Sequence, residues 1–316
     1  MRRTPRAALM IAVVTAVASL AGTAVAGPHF SVWSTAQKVD EIDGNSSELN
    51  TAFLDGCPIQ SPDGLSLYMA TNRPGGHGLL DIWVARRETV KSPFGPPENL
   101  PAPINSAADD FCPTPVRGDG LIFVSRRTTD ESCGLGDMYV ARFNRAQGWS
   151  DPDHLACAPE GPNSALDEQG PSYVEVDGQA YLYFSSGSAT VPGDIYVSGS
   201  TSGGFGPASA VDALNSPGND IQPNVRKDGL EVVFSSNNGY PGHQGGQDVY
   251  VSTREGFEGA WSTAVNLGTA VNTAAGETRP SLSWNAQTLY FGRAPGPEGM
   301  SDIYAATRDK LMGSDG

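Results

Sequence analysis

Five carboxylates recur at one place in a repeated motif, and they are the residues of this chain best placed to do chemistry. The motif N-[ST]-x-x-x-[DE]-x-x-P begins at Asn50, Asn105, Asn163, Asn215 and Asn272, and its acids are Asp55, Asp110, Glu168, Asp220 and Glu277. Carboxylates gathered at one entrance raise one another's pKa or recruit a cation, and oxygen donors of this kind suit Ca²⁺. The plainer role for an acid present in every repeat is to accept hydrogen bonds from backbone N–H groups of its own connector, as an Asx turn does. Repetition weighs toward that role, because catalysis needs one copy to differ from the rest.

Other reactive residues are few. The four histidines, His29, His77, His154 and His243, show no H-E-x-x-H or H-x-H spacing, and no G-x-S-x-G element is present, so neither a zinc hydrolase nor a serine hydrolase is expected. Cys57, Cys112, Cys133 and Cys157 are an even set without a C-x-x-C pair. In an exported chain such a set forms disulfides. Cys57 and Cys112 hold equivalent places in adjacent repeats, which favours Cys57 with Cys112 and Cys133 with Cys157; the other two pairings stay open.

The elements that must position these residues follow from the period. Asp81-Ile82-Trp83, Asp137-Met138-Tyr139, Asp194-Ile195-Tyr196, Asp248-Val249-Tyr250 and Asp302-Ile303-Tyr304 recur at spacings of 56, 57, 54 and 54 residues. Between motif and D-[IVM]-[YW] lie a tight turn such as Asp63-Gly64 or Asp119-Gly120, a short apolar run such as Leu121-Ile122-Phe123, and a Gly-rich loop. Each unit therefore reads as three strands, and a fourth follows in [WF]-[SG]-x-[PA]-x-x-[VL]. That last pattern occurs at Phe94, Trp149, Phe205 and Trp261, and once ahead of the first unit, in Trp33-Ser34-Thr35-Ala36 through Val39. The last unit lacks its own copy, so the N-terminal strand must complete it. The sequence predicts an all-β, five-bladed β-propeller of four-stranded antiparallel blades, closed by its N-terminal strand over residues 27–316. With 38 Gly and 24 Pro in 316 residues, a helical protein is excluded.

The units resemble the TolB-like, WD40-like β-propeller repeats of exported bacterial proteins. The first blade carries the likeness in Pro58-Ile59-Gln60-Ser61-Pro62-Asp63-Gly64, Leu67-Tyr68, Asn72-Arg73-Pro74-Gly75-Gly76 and Asp81-Ile82-Trp83. The arginine after the second strand is not kept in register: blade two has Arg126-Arg127, blade three none, blade four Asn237-Asn238, and Arg293 is displaced. No ring of arginines is expected. The resemblance implies a non-enzymatic, monomeric propeller that binds an envelope or extracellular protein, or another ligand, on the face carrying the motif acids, and the acids are the expected ligand ring.

The plan is also similar to that of five-bladed glycoside hydrolases, which place acids near the starts of inner strands around a central pocket. On that alternative Asp55, Asp110, Glu168 and Asp220 are catalytic candidates, and a carboxylate pair would suffice. A lectin-like carbohydrate binder using loop aromatics such as Tyr240 is the related possibility; Trp149 and Trp261 read more simply as packing residues of outer strands.

Net charge of −15 argues against nucleic acid as a partner. Arg2, Arg3 and Arg6 precede the apolar run Ala7 to Ala26, ending in Ala24-Val25-Ala26, so residues 1–26 read as a cleavable secretion signal. A periplasmic or secreted location is expected, with no membrane span in the mature chain.

Overall fold

The computed structural model describes residues 29–311, and the expected signal at 1–26 lies outside them. Five antiparallel sheets follow one another around a ring. Blade one comprises Asp55–Gln60, Ser66–Thr71, Asp81–Arg86 and Glu98–Asn99, and blade two Asp110–Val116, Gly120–Ser125, Asp137–Asn144 and Asp153–His154. Blade three comprises Asp167–Val176, Gln179–Gly187, Asp194–Thr201 and Gly204–Ala210, and blade four Asn219–Val225, Glu231–Asn237, Asp248–Thr253 and Val265–Asn266. Blade five pairs Gly276–Leu282, Thr288–Ala294 and Asp302–Thr307 with Gln37–Lys38 from the other end of the described chain. The expected five-bladed architecture and its N-terminal closure are both present. Among the described residues no helix is long and apolar enough to cross a membrane.

Apolar second and third strands such as Leu121–Val124 and Met138–Ala141 fill the spaces between blades, because a blade buries its side chains only against its neighbours. The seam between blades five and one is filled in the same way by Val39 and Leu49, packed with Leu67, Met69, Tyr290 and Ile303. Outside it, Arg308 lies 3.9 Å from the Phe30 ring centre and 4.3 Å from that of Trp33. Leu49→Ala should cost roughly 2–5 kcal/mol, the range for a buried leucine whose neighbours cannot collapse into the space. Urea unfolding followed by far-ultraviolet circular dichroism gives the value, and a loss under 1 kcal/mol, about half the lower bound of that range, would mean that the seam does not hold the ring.

Candidate functional site

The conserved spacing of the motif has a direct physical explanation in each blade. The asparagine reaches the third strand of the preceding blade, where its Oδ1 accepts from the N–H, and its Nδ2 donates to the C=O, of a single residue: Ile303, Ile82, Met138, Ile195 or Val249. The next residue turns back onto the acid. Ser106 donates from N–H and hydroxyl to one Asp110 oxygen at 2.6 and 2.7 Å, and Thr51 with Asp55 and Ser216 with Asp220 repeat the same pair of distances. The acid's own N–H then donates to the loop of the preceding blade, to Ser301, Leu80, Gly136, Gly193 or Gln247. Four residues of spacing are what this turn requires.

The five acids are all fully buried. Three are tied to arginines: Arg73 to Asp55 at 2.6 Å, Arg127 to Asp110 at 2.7 Å and Arg293 to Glu277 at 2.8 Å. Each guanidinium also stacks on the aromatic of its third strand, Trp83, Tyr139 or Tyr304. The expected absence of an arginine ring holds for only two blades. Arg73 and Arg127 reach down from just beyond the second strand, whereas Arg293 pairs from within it, directly opposite Glu277; different registers deliver the charge to one place. In blade four Tyr240 packs against Phe234 and Tyr250 instead. Blade three supplies two hydroxyls, Ser164 and Ser186, to one oxygen of Glu168.

Among the motif acids, those without an arginine are therefore the ones in blades three and four. Glu168 Oε2 and Asp220 Oδ1 have no hydrogen-bond partner. Burial pushes the Glu168 carboxyl above its ordinary range. Asp194, at the start of the third strand of blade three, is raised as well, by burial first and then by the charges of Asp220 and Asp212. Glu277 is also raised by burial, its hydrogen bonds and Arg293 opposing the shift. Among the described residues, no three of the five acids bring oxygens close enough together to share one ion.

Beside this sector the connector face opens into a cleft of about 320 Å³. Asp167 and Gln169, the neighbours of Glu168, line it, as do Asn219 and Ile221, the neighbours of Asp220; Leu135, Ser185 and Ser188 complete its main wall. Asp167 is held by Arg126 at 2.8 Å. A second cleft of about 540 Å³ lies on the hairpin face between blades one and two, where Tyr68, Phe143 and Trp149 stand among Asp63, Asp119, Arg86 and Arg117.

Sequence reasoning missed the residues on the axis. Two places after each acid stands a residue with left-handed backbone: Cys57, Cys112, Gly170, Gln222 and Arg279, with φ between 47° and 60°. A bulge follows in every inner strand and swings it around the axis. Crowding there is severe, since a Cβ on Gly170 would lie 2.6 Å from the Gln222 backbone. Cys57 and Cys112 are joined across blades one and two, and Cys133 to Cys157 in blade two's loops. Arg279 spans the centre, donating to Pro171 O at 2.9 Å and Thr114 Oγ1 at 3.2 Å while its Nε has no partner. Burial alone pulls its guanidinium down to about 9. In this set the sequence signalled only the Cys57–Cys112 pair; the axial places of Gly170, Gln222 and Arg279 were not read.

The fold is a five-bladed propeller that solved glycoside hydrolases also adopt. An α-L-arabinofuranosidase from Lactobacillus brevis is similar at 11% identity and TM-score 0.51, over 80% of this chain and 90% of that one. An α-L-arabinofuranosidase from Podospora anserina, solved with cellotriose, gives 10% and 0.54 over 89% and 98%, and an endo-arabinanase from Bacillus licheniformis 13% and 0.52 over 80% and 93%. No protein-family model and no curated protein matches the sequence. At these identities the likeness is one of fold. It overturns the TolB-like, WD40-like resemblance, whose residues, the Asp-Gly hairpins, second strands and Gly-rich loops, encode blade construction common to propellers and nothing narrower.

Two outcomes follow for the acids. Arg127→Met leaves the Asp110 carboxylate buried without its cation and should cost roughly 3–5 kcal/mol, much of it recovered when Asp110→Asn is added; a urea double-mutant cycle measures this, and additive losses would refute the pairing. Glu168 behaves oppositely. A carboxyl raised in the folded state contributes stability below its unfolded value, lost as pH rises through the folded value. Glu168→Gln, which imitates the protonated acid, should therefore gain in melting temperature relative to the parent as pH climbs above about 4.5, and a difference that does not change with pH would contradict the assignment.

Proposed function

We propose that this protein is an exported carbohydrate-binding propeller, with the connector-face cleft over blades three and four as the sugar site. The observation that carries the reading is the break in the arginine set. In blades one, two and five the motif acid is neutralised by an arginine, and in blades three and four it is not, where the cleft opens. Sugar hydroxyls donate hydrogen bonds, and a lining of carboxylate, amides and serine hydroxyls with Leu135 and Ile221 offers acceptors beside apolar contact. Arabinose-containing glycans are the first class to try, since arabinofuranosidases and an endo-arabinanase share the fold.

Binding without cleavage is favoured because a glycosidase pair must touch the scissile bond and a water or the anomeric carbon, and all five motif acids are shut off from solvent. Glu168 supports the second reading, hydrolysis: a carboxyl raised by burial is what a general acid needs. Calorimetric titration of the oxidised protein with arabino-, xylo- and cello-oligosaccharides, beside a reducing-end assay, separates the two. Gln169→Ala should weaken binding about tenfold, the equivalent of one lost hydrogen bond, while Trp149→Ala on the opposite face leaves it unchanged. Reducing ends that disappear in Glu168→Gln would establish hydrolysis; affinity lost in Trp149→Ala would move the site to the hairpin face; no binding to any glycan would sink the reading.

A further inference from the structure

Opposite the third-strand aromatic, the fourth strands carry Asn99, Ala210, Asn266 and Lys38 in blades one, three, four and five, and His154 in blade two. In blade four Asn266 donates to the loop-closing Asp248 at 2.8 Å. His154 takes that place in blade two, its Nε2 2.9 Å from Asp137 Oδ2. The loop that Asp137 closes holds Cys133, whose disulfide partner Cys157 lies in the connector after the fourth strand. Cys133 Sγ is 3.8 Å from His154 Nε2, and the sulfur, the imidazole nitrogen and the Asp137 oxygen all lie within 4.8 Å of one another. The blade that departs from the repeat at the histidine is also the one whose loop and following connector are joined by a disulfide.

A sulfur, an imidazole and a carboxylate are three of the donors of a tetrahedral zinc-type ion, for which bonds of about 2.0–2.3 Å place donors roughly 3.3–3.8 Å apart. As long as Cys133 is bonded to Cys157, its sulfur is not a thiolate, so the set is incomplete. We propose that blade two carries a metal site masked by its disulfide. A dithiol reductant transfers two electrons and two protons to the Cys133–Cys157 bond and is itself oxidised to a disulfide; one divalent transition-metal ion then displaces the Cys133 thiol proton and binds Cys133, His154 and Asp137, with a fourth position left to solvent. Cys133 and Cys157 are partly exposed to a reductant, whereas Cys112 of the other disulfide is fully buried.

The test is titration of the whole mature protein with Co²⁺ under anaerobic conditions, before and after reduction, read by absorption. Reduced protein should show the thiolate-to-cobalt band and the visible bands of a tetrahedral ion, saturating at one Co²⁺ per chain and bleached by Zn²⁺; oxidised protein should show neither. His154→Asn installs the residue that two other blades use, so the fold is retained, and it should weaken Co²⁺ binding at least tenfold. Absence of the bands in reduced protein would overturn the proposal. So would their survival in His154→Asn at unchanged affinity, or in a Cys133→Ser/Cys157→Ser variant, which would place the ion at Cys57 and Cys112.

Discussion

The ring stands on one repeated hydrogen-bonded set, in which a connector asparagine clasps the third strand of one blade and the following Ser or Thr ties down the acid that begins the next. The five acids and four of the five asparagines are buried, so leaving one of their donors or acceptors unmade costs about 1–3 kcal/mol, a sizeable share of the total stability of a domain. The set links blades to one another as well as strands within a blade. Geometry is therefore passed around the ring, and the seam filled by Val39 and Leu49 has to match blades positioned by the other four copies.

Architecture was legible in the sequence because it is periodic. Five copies of one motif fix blade number, strand order and the borrowed strand, and the equivalence of Cys57 and Cys112 pointed to the bond they form. The arginine partners were hidden because sequence register is a poor guide to reach: Arg73 and Arg127 lie two places beyond the strand residue facing the acid, and Arg293 lies directly opposite it. A long side chain erases that difference. The axial residues were hidden for another reason. A residue before proline is biased toward extended backbone, yet five in turn are left-handed, held there by packing that only the closed ring creates. The narrower family likeness failed since the residues behind it serve the blade and carry no trace of the ligand.

Departures from the repeat separate the functions of the blades. Where the arginine is kept, the acid is a cross-brace between strand and connector. In blades three and four, hydroxyls and Tyr240 stand in the arginine's place, and the charge stays beside a cleft. Blade two keeps its arginine and changes its loop instead, trading an asparagine for His154 next to a disulfide. Each blade thus holds the common hydrogen-bonded set and varies one position around it, which is how a repeated fold acquires distinct sites without loss of closure.

Arg279 changes what kind of object this ring is. Its side chain reaches from blade five to the inner strands of blades two and three, with Gln222, Gly170 and the Cys57–Cys112 bond packed around the same axis. The centre is an axle, and the molecule is a disc and not a pore. With Arg279 packed across the hub, the cleft on the connector face and the cleft on the hairpin face are separate surfaces, and the two can meet different partners in different chemical surroundings.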